Sequence, residues 1–105
     1  MKLFSEREQR EAIAFAMLGG QALHEVGKWA TARPGCPQVF KSGTGIAHLF
    51  DQNLDRLVLT ARGLGVRVIK VERPGKEGQH IDLCAKPLEK AVERCRQEEF
   101  REMMQ

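Results

Sequence analysis

The sequence predicts a single small α/β domain, and three observations support this. Its 105 residues leave room for about one hydrophobic core. Apolar residues make up 42% of the chain and charged residues 30%, which is the balance of a globular protein rather than a disordered one. Some segments repeat apolar residues at helical spacing, and others are short runs rich in β-branched residues. We therefore expect an α/β fold, with α+β as the alternative, built from helices and a small mixed sheet.

The N-terminal third is predicted to be helical. The segment Ser5-Glu6-Arg7-Glu8 has the pattern of a capping box, and apolar residues then recur at helical spacing. Gly19-Gly20 either splits this region into two helices or provides a flat face for close helix contact. The segment Arg33-Pro34-Gly35-Cys36-Pro37 ends it, because proline removes a backbone donor. Residues 1–33 are thus interpreted as a helical extension of an α/β core spanning residues 38–95.

The core is predicted to alternate strands and helices. A short strand over residues 38–41 and a turn lead to Ile46–Phe50, which we interpret as a strand, although its spacing also suits the start of a helix. Asn53 then caps a helix whose apolar stripe stops at Gly65. The β-branched run Val66–Val71 follows as the next strand, so this segment forms a strand–helix–strand unit with a right-handed crossover.

The C-terminal part is predicted to contain a turn, a two-faced strand and a final helix. After the turn over residues 74–78, apolar residues at 81, 83 and 85 alternate with His80, Asp82 and Cys84. Pro87 suits the first turn of the last helix, in which four apolar residues form the buried stripe, namely Leu88, Ala91, Val92 and Cys95. Beyond that stripe the helix is solvated, which leaves Phe100 and Met103 to contact a neighbouring helix or a partner subunit.

Cysteine usage and the N-terminus predict a cytoplasmic protein. The apolar run after the charged N-terminus is short and is broken by glycines, so it has the pattern of neither a signal peptide nor a membrane span. The three cysteines include no Cys-x-x-Cys pair, so no disulfide framework is expected. Cys84 and Cys95 are interpreted as small core residues rather than nucleophiles.

The charge is concentrated in one segment. The net charge of +3 is ordinary for a domain of this size. Residues 56–76, however, contain one acid, Glu72, and six cations, which are Arg56, Arg62, Arg67, Lys70, Arg73 and Lys76. They are either the solvated faces of a helix and a strand or a surface that binds nucleic acid. One hypothesis is therefore an interaction module, which binds nucleic acid or self-associates through the N-terminal helices or the Phe100 region.

The histidines define the leading hypothesis, a polar pocket, to which the interaction module is the alternative. His24 is interpreted as a surface or packing residue of a helix, whereas His48 is either a buried structural histidine or a site residue. His80 and Asp82 share a strand face. This placement suits an acid–base pair, and it makes the two residues weak candidates for metal ligands. In this hypothesis His48, His80 and Asp82 converge, and Arg67 or Lys70 attracts a small anionic or phosphate-bearing ligand. No catalytic residue or cofactor is identified.

The segment Lys41-Ser42-Gly43-Thr44-Gly45 is interpreted as a hairpin turn, with an anion-binding loop as the alternative. It lacks the features of a Walker loop, because its lysine precedes the glycines. It also lacks those of a dinucleotide fingerprint, because His48 stands where a third small residue is needed.

Residues 46–95 resemble a family of short bacterial proteins of unknown function. The segment His48-Leu49-Phe50, the helix ending at Leu64-Gly65, and the segment His80-Ile81-Asp82 followed by Ala91-Val92 match that family's His…Leu-Gly…His-Tyr-Asp pattern in their intervals. Gln52 stands where the family has aspartate, and Ile81 where it has tyrosine. The resemblance implies a small α/β fold in which His48, His80 and Asp82 are the marked polar positions, and it implies no reaction.

Overall fold

The protein is a small α/β domain in which helices pack against both faces of a mixed sheet. A computed structural model describes residues 1–27 and 45–105. In these two ranges the strands are β1 (Lys2–Phe4), β2 (Gln21–Gly27), β3 (Ile46–Asp51), β4 (Val71–Glu72) and β5 (His80–Leu83). The helices are α1 (Gln9–Met17), which follows a 3₁₀ turn over Glu6–Glu8, α2 (Leu54–Gly63) and α3 (Ala85–Met103). The predicted fold class is confirmed.

The sheet places β3 at its centre. The strand order is β1-β2-β3-β5-β4; β1 and β2 are parallel, and the other neighbouring pairs are antiparallel. Because β3 and β4 are both antiparallel to β5, they run parallel to each other with β5 between them. The predicted strand–helix–strand unit is therefore present as β3-α2-β4, but its two strands are not hydrogen-bonded neighbours.

The N-terminal region is only partly helical. The capping box is confirmed, since the backbone N–H of Ser5 donates to Oε1 of Glu8 at 2.8 Å and lowers the pKa of that carboxyl. The helix ends at Met17, Gly19 adopts a φ of +101°, and the chain then enters β2. The predicted helix beyond Gly20 is wrong, and β1 was not predicted at all. Residues 1–27 contribute two strands to the sheet and are not a helical extension of it.

The predictions for β3 and α2 are confirmed, whereas the next strand is shorter than expected. Oδ1 of Asn53 accepts the N–H of Arg56 at 3.0 Å and caps α2, and Gly65 reverses the chain after the helix with a φ of +94°. Of the run Val66–Val71, only Val71 pairs with β5; Val68 lies 68% exposed in the preceding loop. Alternating β-branched residues were thus not sufficient for a strand where no neighbouring strand is available.

Each face of the sheet packs against different helices. Below the sheet, α2 and α3 cover one apolar cluster, whose buried residues are Leu23, Ala47, Leu49, Leu57, Ala61, Leu64, Ile81, Leu83, Ala91 and Cys95. Above it, α1 covers a smaller cluster formed by Phe4, Ala12, Ala16, Ala22 and Phe50. The predicted buried stripe of α3 is confirmed for Ala91 and Cys95, whereas Phe100 is 63% exposed and Met103 77% exposed.

The two cysteines among the described residues differ. Cys95 is a free, buried thiol, as predicted. Cys84 is disulfide-bonded, although the cysteine pattern suggested no disulfide framework. The prediction of a cytoplasmic protein loses one of its two supporting observations, the cysteine usage. None of the described helices is long and apolar enough to cross a membrane. The predicted strand over residues 38–41 and the loop Lys41–Thr44 lie outside the described residues.

Candidate functional site

The candidate site lies on the upper face of the sheet, next to the cluster under α1. The register aligns His24 of β2 with His48 of β3 and then with Asp82 of β5, and in the adjacent row it aligns Phe50 with His80. Directly opposite residues point to the same face of an antiparallel pair, and so do residues two apart in a strand. Three strands therefore place three imidazoles and one carboxylate side by side.

Asp82 lies between two of the imidazoles. Its Oδ1 is 3.5 Å from Nε2 of His48 and 3.4 Å from Nε2 of His80. One ligand atom from each of the three residues lies within 4.8 Å of the others. The side chains are 13 to 17% exposed, so the group is close to solvent but largely screened from it. The expected convergence of these three residues is thus present in the structure.

Backbone carbonyls hold two of the rings from behind. Nδ1 of His80 is 2.7 Å from the carbonyl oxygen of Gly78, and Nε2 of His24 is 3.0 Å from that of Glu6. A carbonyl oxygen can only accept, so both of these ring nitrogens carry hydrogen. The remaining ring contact joins Nδ1 of His24 to Nδ1 of His48 at 3.4 Å.

Phe50 forms the floor of the cluster. Its ring is 2% exposed and packs edge-on against His48 at a centroid distance of 5.3 Å and against His80 at 5.2 Å. Edge-to-face contacts of this kind restrict the ring orientations of both histidines. The phenyl ring also excludes water from beneath them, so the polar groups meet at one side of an apolar surface.

Hydrogen bonds and nearby negative charges together outweigh the effect of burial on the pKa of His80. Burial disfavours the imidazolium and is the largest single influence on its pKa. The hydrogen bond with Asp82, the Gly78 carbonyl and the charges of Asp82 and Glu72 together outweigh it, so the pKa of His80 is raised. His80 is therefore protonated more readily than an isolated imidazole, although it is largely buried.

The cations predicted to attract an anion, Arg67 and Lys70, make no contact with the cluster among the described residues. Arg67 is exposed in the loop between α2 and β4, and it makes no hydrogen bond or ion pair with another described residue. Nζ of Lys70 lies 3.5 Å from Oε1 of Glu72, in an exposed pair. Nε of Arg73 donates to the carbonyl oxygen of Glu77 at 2.9 Å. Among the described residues, Lys70 and Arg73 are thus engaged by other groups, and none of these three cations contacts Asp82.

Arg56 is occupied by a structural ion pair. Its Nε and Nη2 donate to the two carboxylate oxygens of Asp51 at 2.7 and 2.8 Å, and Nη2 also donates to the carbonyl of Gly19 at 2.9 Å. Asp51 is fully buried at the end of β3. Arg56 therefore ties α2 to the turn before β2, and its proposed role in binding nucleic acid is not supported.

His24 was missed as a member of the site. It is 2% exposed in β2 and does not lie on a helix surface. Its neighbours Ala22 and Leu23 are fully buried on opposite faces, so the polar–apolar alternation of a half-exposed strand is absent. The available signal was the Gly19-Gly20 pair, which ends one element and begins another.

Comparisons with protein-family models, curated proteins and solved structures find no match for this chain. The resemblance to the bacterial family over residues 46–95 therefore stays a prediction. The functional argument depends on the geometry of the His–His–Asp cluster alone.

Proposed function

We propose that His48, His80 and Asp82 bind a divalent transition-metal ion. The observation that carries this proposal is the spacing of the three ligand atoms. Tetrahedral coordination with metal–ligand bonds of about 2.0–2.1 Å separates neighbouring ligand atoms by about 3.4 Å. The distances from Oδ1 of Asp82 to the two Nε2 atoms are 3.4 and 3.5 Å. These two distances match that spacing, and all three ligand atoms lie within 4.8 Å of one another.

The hydrogen bonding of His80 supports the proposal. Its Nδ1 donates to the carbonyl oxygen of Gly78, so the neutral ring presents the Nε2 lone pair towards Asp82. Metal-bound histidines characteristically donate their other ring N–H to a carbonyl or a carboxylate. A lone pair facing a carboxylate is repulsive unless a proton or a cation lies between them. A metal ion and a proton are therefore the two occupants that the experiment must separate.

Two histidines and one carboxylate leave coordination positions open. Such sites are found with zinc and with non-haem iron, and the open positions accept water or a substrate. The small anionic ligand expected from the sequence fits this proposal as a ligand of the metal, since Lys70 is paired with Glu72 and Arg67 is exposed in a loop. Two of the three ligand groups are neutral imidazoles and the third is a carboxylate with a single negative charge. A bound divalent ion therefore retains positive charge that attracts such an anion.

The first prediction concerns Asp82→Asn, which removes the carboxylate with almost no change in volume. Protein freed of metal by chelator and dialysis is titrated with Zn²⁺ by calorimetry, and with Co²⁺ by its visible ligand-field absorption. The unsubstituted protein is expected to bind one ion per chain with the spectrum of four-coordinate cobalt. D82N is expected to bind at least about 100-fold more weakly, since losing a ligand costs more than losing a supporting residue.

Asp55→Asn is the matched control, because Asp55 is an exposed acid in the first turn of α2. D55N is expected to bind zinc like the unsubstituted protein. Equal affinities for D82N and D55N, or no stoichiometric binding by the unsubstituted protein, would exclude the site and leave a proton as its occupant. Addition of phosphate or acetate to the cobalt form tests the open positions, since an incoming anion changes the absorption spectrum.

The interaction module receives less support. Within the described residues, three of the six clustered cations already have partners, namely Arg56, Lys70 and Arg73. Phe100 and Met103 are exposed on the last turns of α3, but nothing in the described residues indicates what would cover them. We therefore retain metal binding as the proposed function.

A further inference from the structure

His24 connects the candidate metal site to the N-terminal turn. Its Nε2 lies 3.0 Å from the carbonyl oxygen of Glu6, and its Nδ1 lies 3.4 Å from Nδ1 of His48. The ring is buried, and it packs at a centroid distance of 5.5 Å from His48 with an angle of 30° between the planes. His24 is not one of the three residues whose ligand atoms lie within 4.8 Å of one another.

The hydrogen-bond roles follow from the Glu6 carbonyl. A carbonyl oxygen only accepts, so the hydrogen of the neutral His24 ring is on Nε2 and its Nδ1 is an acceptor. The contact with His48 then needs a hydrogen on Nδ1 of His48. Since a neutral imidazole carries one hydrogen, Nε2 of His48 is left with its lone pair, and it is this atom that lies 3.5 Å from Asp82.

We propose that His24 is a positioning residue that fixes His48 in the Nδ1–H tautomer, so that Nε2 of His48 is available to bind the metal ion. The inference rests on the proposed function. It makes the site symmetric in its chemistry: the Gly78 carbonyl sets the tautomer of His80 directly, and the Glu6 carbonyl sets that of His48 through His24. His24 contacts neither the ion nor a bound anion.

Two substitutions separate the two hydrogen bonds of His24. In His24→Asn the amide oxygen takes the place of Nδ1 and still accepts from His48, although the side chain is too short to reach Glu6. In His24→Gln the longer side chain reaches Glu6 and no longer places an acceptor at the Nδ1 position. Both variants put an amide in the same buried strand position, so a general loss of packing affects them alike.

The tautomer is measured directly by ¹⁵N NMR of histidine-labelled, metal-free protein at a pH at which the imidazoles are neutral. The unsubstituted protein and H24N are expected to show His48 with hydrogen on Nδ1 and an unprotonated Nε2. H24Q is expected to shift His48 towards the Nε2–H form, which is the tautomer that blocks the ligand atom. A His48 that carries hydrogen on Nε2 in the unsubstituted protein would overturn the inference.

Zinc affinity provides the second readout. We expect H24N to retain an affinity close to that of the unsubstituted protein, and H24Q to lose about 10–100-fold, as supporting residues of metal sites do. Equal affinities and equal tautomers in H24N and H24Q would overturn the role of His24 even if zinc binds at Asp82. Conversely, a tautomer that depends on His24 in a protein that binds no zinc would support the positioning role and contradict the proposed function.

Discussion

Two carboxylates on adjacent strands, Asp51 and Asp82, have very different surroundings. Asp51 is fully buried and is surrounded by donors: both Arg56 nitrogens, Nε2 of Gln21 at 2.9 Å and the backbone N–H of Asn53 at 2.9 Å. Such an arrangement compensates the burial of a charge. Asp82 instead lies beside two imidazoles that can each present a lone pair. The first carboxylate is therefore structural, whereas the second is the one that we propose to bind an ion.

The role of Arg56 is tested by Arg56→Met, which keeps much of the side-chain volume and removes the donors. Asp51 would remain buried with only Gln21 and Asn53 as partners. We expect the free energy of unfolding to fall by about 2–3 kcal/mol, below the value for a fully buried pair because the guanidinium is half-exposed. Urea denaturation measures this loss. Arg62→Met, an exposed position on the same helix, is the control and should change stability by less than about 0.5 kcal/mol.

Cys95 is the free thiol that could compete for a soft metal ion, and its environment argues against this. Burial is the main cause that raises the pKa of its thiol to about 11. At pH 8 only about one molecule in a thousand then carries the thiolate, which is the reactive and metal-binding form. We expect iodoacetamide to alkylate Cys95 slowly in the native protein at pH 8 and quickly in urea. Similar rates in both states would contradict the buried position of this thiol.

At the scale of elements, α2 and β5 were predicted from alternating buried and less buried positions, and β3 was predicted although it is buried on both faces. α2 alternates buried Leu57 and Ala61 with exposed neighbours, and β5 alternates buried Ile81 and Leu83 with the polar His80 and Asp82. Those patterns are visible in the sequence because water and core select different residues.

Prediction failed for β2 and β1. β2 is buried on both faces, so Ala22, Leu23 and His24 form no alternating pattern, and the spacing of Leu23 and Val26 imitated a helix. β1 has only three residues, and it forms a strand because β2 lies next to it. The candidate site shows the same success and failure. His48, His80 and Asp82 lie on strands that were predicted, whereas His24 lies on β2, which was not predicted as a strand.

The turn between α1 and β2 depends on Gly20, because a Cβ there would lie 2.3 Å from the Phe15 ring. Gly20→Ala therefore has to displace Phe15 from the cluster under α1, and we expect a cost of about 1–3 kcal/mol. Gly63→Ala, at the end of α2, meets no atom within 4 Å and should be neutral or stabilising by up to about 1 kcal/mol. Thermal unfolding of the two variants compares them. A G20A protein as stable as G63A would show that Phe15 moves at no cost.

At the scale of the whole molecule, the two faces of the sheet differ in what they do. The lower face is apolar across β2, β3 and β5 and is covered by α2 and α3. On the upper face the apolar cluster under α1 ends at Phe50, and the polar cluster begins directly beside it on β3 and β5. The larger core thus holds rigid β3 and β5, which carry the candidate ligands, and β2, which carries His24, since their register is fixed from below.

This arrangement predicts that metal binding stabilises the entire fold. The three ligands come from β3 and β5, and they converge only when the sheet is formed. An ion that binds the native state alone stabilises it by about 2.7 kcal/mol when its free concentration is 100 times its dissociation constant. For a chain of this size, that corresponds to a rise in Tm of about 10 °C or more.

Thermal unfolding with and without zinc measures the effect, and D82N separates it from zinc bound elsewhere. The unsubstituted protein and D55N should both show the rise in Tm, whereas D82N should not. An equal rise in D82N would assign the stabilisation to another group. A rise that is lost in D82N but reduced only partly in H24Q would agree with ligand and positioning roles for these two residues, because the positioning residue weakens the site without removing an atom that binds the ion.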